Sequence, residues 1–344
     1  MARASDQALT RRWSPWHDRL HRLLLRDPSL LPPGERLVVA VSGGQDSMAL
    51  TALLIGLQRL HHWSLHLWHG DHGWHQGSAA MASGLETWSS ANGLALSIDR
   101  TTRAATGSEA AARDWRYGRL AQVAEQQQQA DPGTPCRRVV CAHTATDRAE
   151  TLLLNLARGS DLQGLGSLRR ARPLAQAGDH DLQLVRPLLD VPRSDTAAIC
   201  TTLQLPIWLD PSHDDLHYSR NRIRHQVLPV LNALHPGCEP RMAALSERIE
   251  QTQTSRTALL DLGLDSLRDA TGLNRRRLAS LPSDLRRSLL GHWLQTQGAP
   301  ALSSRQLEDL ATATAAGAPA GGRDLGGDRR IHWDKDAVQL VKKH

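Results

Sequence analysis

Phenylalanine is absent from this 344-residue chain, tyrosine occurs twice, and lysine occurs only at Lys335, Lys342 and Lys343. Arginine supplies the other 38 of the 41 basic residues. No lysine in the first 334 residues means no Schiff-base lysine and no phosphate lysine there. A phosphate clamp must use arginine, backbone amides or a metal. The four cysteines, Cys136, Cys141, Cys200 and Cys238, form no C-x-x-C pair. They predict buried thiols in a reducing cytoplasm rather than a disulfide framework. No apolar run approaches the roughly 18–20 residues that span a bilayer. The polar N-terminus, with Arg11, Arg12, Arg19 and Arg22, does not read as a signal peptide. The expectation is a cytoplasmic protein without a membrane anchor.

What the chain does have is positive charge. Its net charge of +6 and pI of about 9.7 favour an acidic partner, nucleic acid above all. The length predicts two domains. Strand-like runs at Leu37–Val41, Leu65–Trp68, Leu94–Ile98 and Val139–Ala142 alternate with helical stretches at 78–91, 108–125 and 148–158. An amphipathic helix precedes them within residues 1–35. This alternation predicts an α/β fold, a parallel doubly wound sheet with ligands past the C-terminal strand ends. The first domain is expected over 1–225 and a smaller, mainly helical domain over 226–344. Residues 311–322, rich in Ala, Thr and Gly, read as a flexible connection. Arg330–Val341 has strand-like stretches that suit a hairpin.

Three segments fall at the expected strand ends: 42–47, 69–75 and 143–150. In the first, Ser42-Gly43-Gly44-Gln45-Asp46-Ser47 joins a strand to a helix. Such a turn aims backbone amides at an anion, with glycine allowing close approach. A Walker A loop would carry lysine; here the loop carries an acid, Asp46. An acid beside phosphates suggests Mg²⁺ bridging the two. In the third segment, Asp147 and Glu150 share one helix face. They fit a capping box with Asp147 as cap, and equally a metal-binding or general-base pair beside a nucleotide. Ser108 suits a helix N-cap, with Glu109 and Arg113 spaced as an i,i+4 pair. His69, His72 and His75 lack cysteine neighbours and suit nucleotide or loop contacts better than zinc. Tyr218–His225 packs Arg220, Arg222 and Arg224 around Asn221 with no acid among them, which suits phosphate oxygens. The clusters Arg275–Arg277 and Arg286–Arg287 fit an RNA-facing surface or a solvated helix.

The Ser42–Ser47 loop resembles the pyrophosphate loop of the PP-loop ATP pyrophosphatase superfamily. Further segments narrow the resemblance. They are His69-Gly70-Asp71-His72-Gly73; Glu109, Ala112, Arg113, Arg116 and Tyr117; and Ala142-His143, Asp147, Glu150-Thr151, Leu153, Leu156 and Arg158-Gly159. Arg186–Leu189 and Arg220–Arg224 complete the set. In this order, over roughly 36–236, they resemble the tRNA(Ile)-lysidine synthase family. The chain departs from the usual pattern at Trp74-His75 and at Asp210-Pro211-Ser212-His213. Its length resembles the shorter members.

The resemblance implies an ATP-dependent ligase that adenylates cytidine 34 in the CAU anticodon of tRNA(Ile). L-lysine then displaces AMP to give lysidine, so that the tRNA reads AUA. It implies ATP on Ser42, Gly43, Gly44, Gln45, Asp46 and Ser47, and Mg²⁺ on Asp46 and Asp147. Catalysis would rest on Asp46, Arg113, Asp147 and Glu150, and substrate binding on Arg220, Asn221, Arg222 and Arg224. A homodimer is an open expectation. The competing readings are a PP-loop tRNA thiolase, an amide-forming enzyme acting on a small molecule, and a catalytically idle RNA-binding protein.

Overall fold

The computed structural model describes Leu9 and residues 13–71, 73, 77–101, 109–166, 168–174, 181–208, 215–269 and 272–342. The chain forms two compact units, Met1–Glu250 and Gln251–His344.

The first unit is built on six strands: β1 (Arg36–Ala40), β2 (Ser64–Asp71), β3 (Ala95–Arg100), β4 (Arg138–Val140), β5 (Ala171–Pro173) and β6 (Gln183–Val185). Their order is β3-β2-β1-β4-β6-β5, parallel throughout except that β5 runs antiparallel to β6. A parallel sheet is covered on both faces, so its strands read as continuous apolar runs. Leu37, Val38, Val39, Val139, Val140, Leu184 and Val185 are accordingly fully buried. The helices are α1 (Pro15–Arg26), α2 (Gln45–His61), α3 (Ser78–Ala91), α4 (Glu109–Ala130), α5 (Ala145–Ala157), α6 (Leu162–Leu165) and α7 (Arg193–Leu203). A short α8 (Ser219–Arg222), a π-helix (Ile223–Val227), α9 (Leu228–Leu234) and α10 (Cys238–Leu267) follow.

The two sheet faces have separate cores. Leu37, Val39, Val140 and Val185 pack with residues of α1, α2, α3 and α7. Val38, Val139 and Leu184 pack with Leu120, Val123 and Ala124 of α4. Alternate residues of one strand thus serve opposite layers. Helix α2 begins directly behind the glycine turn and buries Met48, Ala49, Leu50, Ala52, Leu53, Leu54 and Leu57. This fixes the turn at the C-terminal edge of β1.

The units divide later than the expected 225/226 boundary, within α10. The reason is local: Glu247 and Glu250 of α10 are ion-paired to Arg148 of α5. The second unit is less purely helical than expected. Beside α11 (Arg275–Ala279), α12 (Ser283–Thr296) and α13 (Ser304–Ala313) it holds a four-stranded sheet. Its strands are β7 (Leu273–Asn274), β8 (Gly321–Gly326), β9 (Arg329–Trp333) and β10 (Ala337–Lys342), in the order β7-β10-β9-β8 and antiparallel. The expected hairpin over Arg330–Val341 is the β9–β10 pair. Residues 311–322 are not a loose connection. Ala311 and Thr314 are fully buried, and Gly321 lies where a Cβ would sit 3.0 Å from the Trp333 ring. Small residues are required there by close packing, which composition alone does not reveal.

The arginine clusters of this unit are partly internal. Arg275 is 5% exposed and donates from Nη2 to the Ala318 carbonyl at 2.6 Å and from Nη1 to the Asp334 carbonyl. Arg286 donates to the carbonyls of Ala311 at 2.7 Å and Leu281 at 3.0 Å. Arg287 pairs with Glu308 and Asp284. Arg276 and Arg277 are exposed. Arg275 and Arg286 therefore serve the fold, satisfying carbonyls at helix ends and turns that would otherwise be buried unpaired. Arg275→Met should destabilise the second unit by about 3 kcal/mol, because several buried acceptors lose their donor at once. Urea unfolding measures this; a loss below about 1 kcal/mol would mean that water replaces the guanidinium.

Candidate active site

The glycine turn, the C-terminal end of β2, the start of α4, the start of α5 and the α8–π-helix segment surround one cavity of about 410 Å³. Ser42, Asp46, Ser47, His69, Arg113, Arg116, His143, Asp147, Arg193, Arg220, Asn221 and Arg224 all line it.

Gly43 has φ +82°, and a Cβ there would meet Met81 at 3.2 Å. Only glycine suits both constraints. Gly44 caps α2, and the Ser42 and Ser47 hydroxyls lie 3.1 Å apart. The turn thus gathers two hydroxyls and the first amides of a long helix, a site suited to phosphate. The Gln45 side chain is turned away from it. Its amide donates to the Arg193 carbonyl at 2.7 Å and to Thr196 Oγ1 at 2.8 Å. The expectation that Gln45 binds nucleotide is therefore corrected for its side chain, which ties the loop to α7. The Asp46 carboxylate accepts from Thr196 Oγ1 at 2.5 Å and lies 3.5 Å from Arg193 Nε. Burial pushes its pKa up, with Arg193 and Thr196 pulling against burial.

At α5 the N-cap is Thr144, not Asp147. The helix starts earlier than expected because Thr144 Oγ1 accepts from the Asp147 amide, and Asp147 Oδ2 accepts in return from the Thr144 amide at 2.7 Å. Asp147 is thus the acid of the capping box. Its Oδ1 faces Arg220 at 3.4 Å and Arg224 at 3.6 Å. Burial opposes ionisation, yet Arg220, His143, the Thr144 amide and Arg224 hold the Asp147 carboxyl down at about 2. Glu150 is fully buried, and each of its oxygens takes one guanidinium. Arg220 Nε is 3.0 Å from Oε2, and Arg224 Nε is 2.6 Å from Oε1. Burial and the Asp147 charge push Glu150 up, while the guanidiniums oppose them. Arg224 is raised through its Glu150 partner, despite burial. The π-helix widens the turn that carries Arg224; such turns recur at functional sites.

Asn221 is nearly buried, its amide donating to the Asp215 carbonyl at 2.8 Å. Arg222 is exposed and does not line the cavity. Arg113 lies on the rim with its guanidinium 5.1 Å from the Tyr117 ring centroid, and Arg172 lies 4.9 Å from the same ring. Ser108, the Glu109 side chain, His72, Trp74, His75 and Asp210–His213 lie outside the described residues. His69 Nδ1 is 2.8 Å from the Val41 carbonyl. A carbonyl only accepts, so Nδ1 carries the proton and Nε2 is left as an acceptor. His143 is lowered to about 3, chiefly by burial, and is neutral near pH 7.

Mg²⁺ is compatible with this donor set. Mg²⁺ takes hard oxygen ligands, commonly one or two carboxylates with phosphate and water. Asp46 and Asp147 are two such carboxylates lining one cavity with the phosphate-type turn.

Arg193 and Thr196 were not evident from the sequence, and Arg186 stood out only as part of the Arg186–Leu189 segment. Arg193 and Thr196 are the partners of Asp46. Arg186 is 1% exposed, and its Nε donates to His143 Nδ1 at 3.2 Å. The one available signal for Arg193 was its place after Pro192 at a helix start.

Residues 17–231 match the PP-loop domain and residues 273–337 match the TilS substrate binding domain. The chain is 52% identical over 328 residues to the tRNA(Ile)-lysidine synthase of Parasynechococcus marenigrum, with 95% of each chain covered. The chain belongs to the tRNA(Ile)-lysidine synthase family. It is also 42% identical over 329 residues to the tRNA(Ile)-lysidine synthase of Prochlorococcus marinus, covering 96% of this chain and 97% of the relative. Among solved structures, the U34-tRNA thiolase NcsA from Methanococcus maripaludis is similar, with TM-score 0.55 and 17% identity over 69% of this chain and 78% of that one. This likeness is one of fold. A lysidine synthase family member therefore presents its phosphate-type turn and Asp147 to a common cavity, with Glu150 buried behind Arg220 and Arg224.

The pairings set an acid response. Asp147 is depressed, so its contribution to stability is complete above its unfolded pKa, near 4, and is lost as pH falls towards about 2. His143 is lowered by burial and acts in the same sense, fully above about pH 6.5 and decreasingly towards about pH 3. Between about pH 7 and about pH 3.5, urea unfolding should show Asp147→Asn losing about 0.7 kcal/mol less stability than wild type, the rest of the difference falling below about pH 3.5. Equal acid sensitivity in the two proteins would contradict the Asp147 pairing.

Proposed function

We propose that this protein ligates L-lysine to C2 of cytidine 34 in the CAU anticodon of tRNA(Ile), using ATP and releasing AMP and pyrophosphate. The observation that carries this reading is the shared cavity: Ser42, Asp46 and Ser47 of the turn line one space with Asp147, Arg220 and Arg224, and Glu150 lies buried directly behind those arginines. Two successive steps on one base need the ATP phosphates and the amine within reach of a single centre.

A ring carbonyl oxygen is a poor leaving group. Attack of cytidine O2 on the α-phosphate of ATP forms an O2–P bond, breaks the α–β bridge and releases pyrophosphate. Backbone amides of the turn, with Ser42 and Ser47, would bind the departing phosphates. Asp46 and Asp147 would hold Mg²⁺, which supplies charge neutralisation on pyrophosphate. Arg113, on the cavity rim, would balance charge on the α-phosphate. The lysine amine then forms a C–N bond at C2, and AMP departs with the former O2.

Lysine arrives as an ammonium and must lose a proton before it attacks. Asp147, held ionised, is suited to binding the ammonium. Glu150, pushed up by burial, is the better proton acceptor of the two. Both Glu150 oxygens hold guanidiniums, so proton transfer would accompany movement of Arg220 or Arg224 towards phosphate.

The thiolase reading has weaker support. The four cysteines are buried, and burial pushes Cys136 up to about 12 and Cys200 to about 11. Such thiols are poor sulfur nucleophiles.

The test is one reaction with purified protein, ATP, Mg²⁺, radiolabelled L-lysine and a tRNA(Ile) transcript bearing anticodon CAU. Label should enter that RNA and not its cytidine-34-to-uridine variant. Pyrophosphate release without label would retain adenylation and require another nucleophile. In Glu150→Gln, lysine transfer should fall by about 100-fold or more, with tRNA-dependent pyrophosphate release much less affected. Undiminished lysidine formation would remove Glu150 from the proton-transfer role.

A further inference from the structure

Helix α5 presents Asp147 to the cavity and Glu150 to two arginines that line it, but the residues beside them turn elsewhere. Thr146 is 5% exposed and Arg148 is 1% exposed. Thr146 Oγ1 donates to Glu239 Oε2 at 2.5 Å, and Arg148 Nη2 donates to Glu250 Oε2 at 2.6 Å. Glu239 and Glu250 both belong to α10, near three turns apart. Between them, Ser246 Oγ donates to the Leu165 carbonyl at 2.9 Å. At Gly166 a Cβ would lie 3.0 Å from the Glu250 amide nitrogen. The start of α10 is therefore seated closely on this side of the first unit.

Arg148 is unusual for a buried cation. Its Nε and Nη1 have no hydrogen-bond partner, and Glu247 stands 3.8 Å from Nη1. The other acids of this cluster are shared: Glu247 also meets Arg170, which reaches Asp190. A guanidinium this deeply buried and incompletely bonded is a poor choice for stability alone, since an apolar pair of similar volume commonly serves the fold as well. What an ion pair adds is a fixed geometry.

We infer that Arg148 and Thr146 are positioning residues: through Glu250 and Glu239 of α10 they set the rotation of α5 about its axis and so aim Asp147 into the cavity and Glu150 at the Arg220–Arg224 pair. The inference rests on the reaction proposed above. Asp147 and Glu150 sit on the same helix as the clamp, within one turn of it, so any rotation of α5 is passed directly to both. A carboxylate roughly 6 Å from the axis moves about 1.5 Å when the helix turns about 15°. A displacement of that size at a reacting centre costs about 100-fold in rate.

The test uses full-length protein in the lysidine assay. Glu250→Gln preserves size and removes the charge. It should lower kcat by about 10-fold or more while the KM for ATP stays within about two-fold. The double variant Arg148→Met with Glu250→Met replaces the ion pair by apolar contact and separates packing from aim. It should regain the thermal stability of wild type but not its rate. Recovery of rate together with stability in the double variant would overturn the inference, as would a Glu250→Gln rate loss that only follows the folded fraction. Wild type assayed alongside reports on the proposed reaction independently, since its failure to form lysidine would reject that reading and this one with it.

Discussion

The burial of Glu150 organises the first unit around its cavity. A fully buried carboxylate is tolerable only when its charge is met, and here two guanidiniums meet it, one on each oxygen. Arg220 and Arg224 come from a segment some 70 residues further along the chain. The pairing therefore does more than neutralise charge: it holds the α8–π-helix segment against α5. Removing one member of a buried pair typically costs about 3–5 kcal/mol, because the other is left uncompensated. The cavity wall and the chemistry thus depend on the same ions. Asp147 shares both arginines at longer range, so the two acids and two arginines form a unit whose members do not titrate separately.

The parallel sheet supplies the frame. The turn after β1, the end of β2 and the segment after β4 leave the same edge, because strand order places β1 between β2 and β4. Loops distant in sequence are neighbours at that edge. The phosphate-type turn and the acid pair need no long connecting loops to meet. Helix α7 then reinforces the turn from the side, through Gln45, Thr196 and Arg193.

Much of this was legible in the sequence, and the rest was hidden for specific reasons. Four strands were evident because parallel strands are apolar on both faces; β1 was expected over Leu37–Val41 and spans Arg36–Ala40. Strands β5 and β6, three residues each, are too short to show a periodicity. The capping box at α5 was read with its cap misplaced, since Asp147 and Thr144 are both good caps and only their mutual hydrogen bonds separate them. The site residues were recognisable by type, but their partners were not. Arg113 lies over Tyr117, one turn further along its own helix, while the side chain of Glu109, its expected partner, lies outside the described residues. The arginines of 220–224 looked unpaired because their acids lie at 147 and 150. Charge spacing reports neighbours within a helix, whereas buried ion pairs are made between elements. Arg275 and Arg286 illustrate the same limit: exposed and carbonyl-capping arginines look identical in a sequence.

The scarcity of lysine acquires a chemical meaning when set beside the cavity. Its cations are all arginines, which remain charged at any pH at which the protein is folded and do not act as nucleophiles. The cysteines nearest the sheet are buried thiols with raised pKa values. A site that activates a base towards amines must not offer an amine or a thiolate of its own. Among the described residues that line this wall, none carries an amine, so the protein offers no amino group of its own to compete with the one that the proposed reaction would bring.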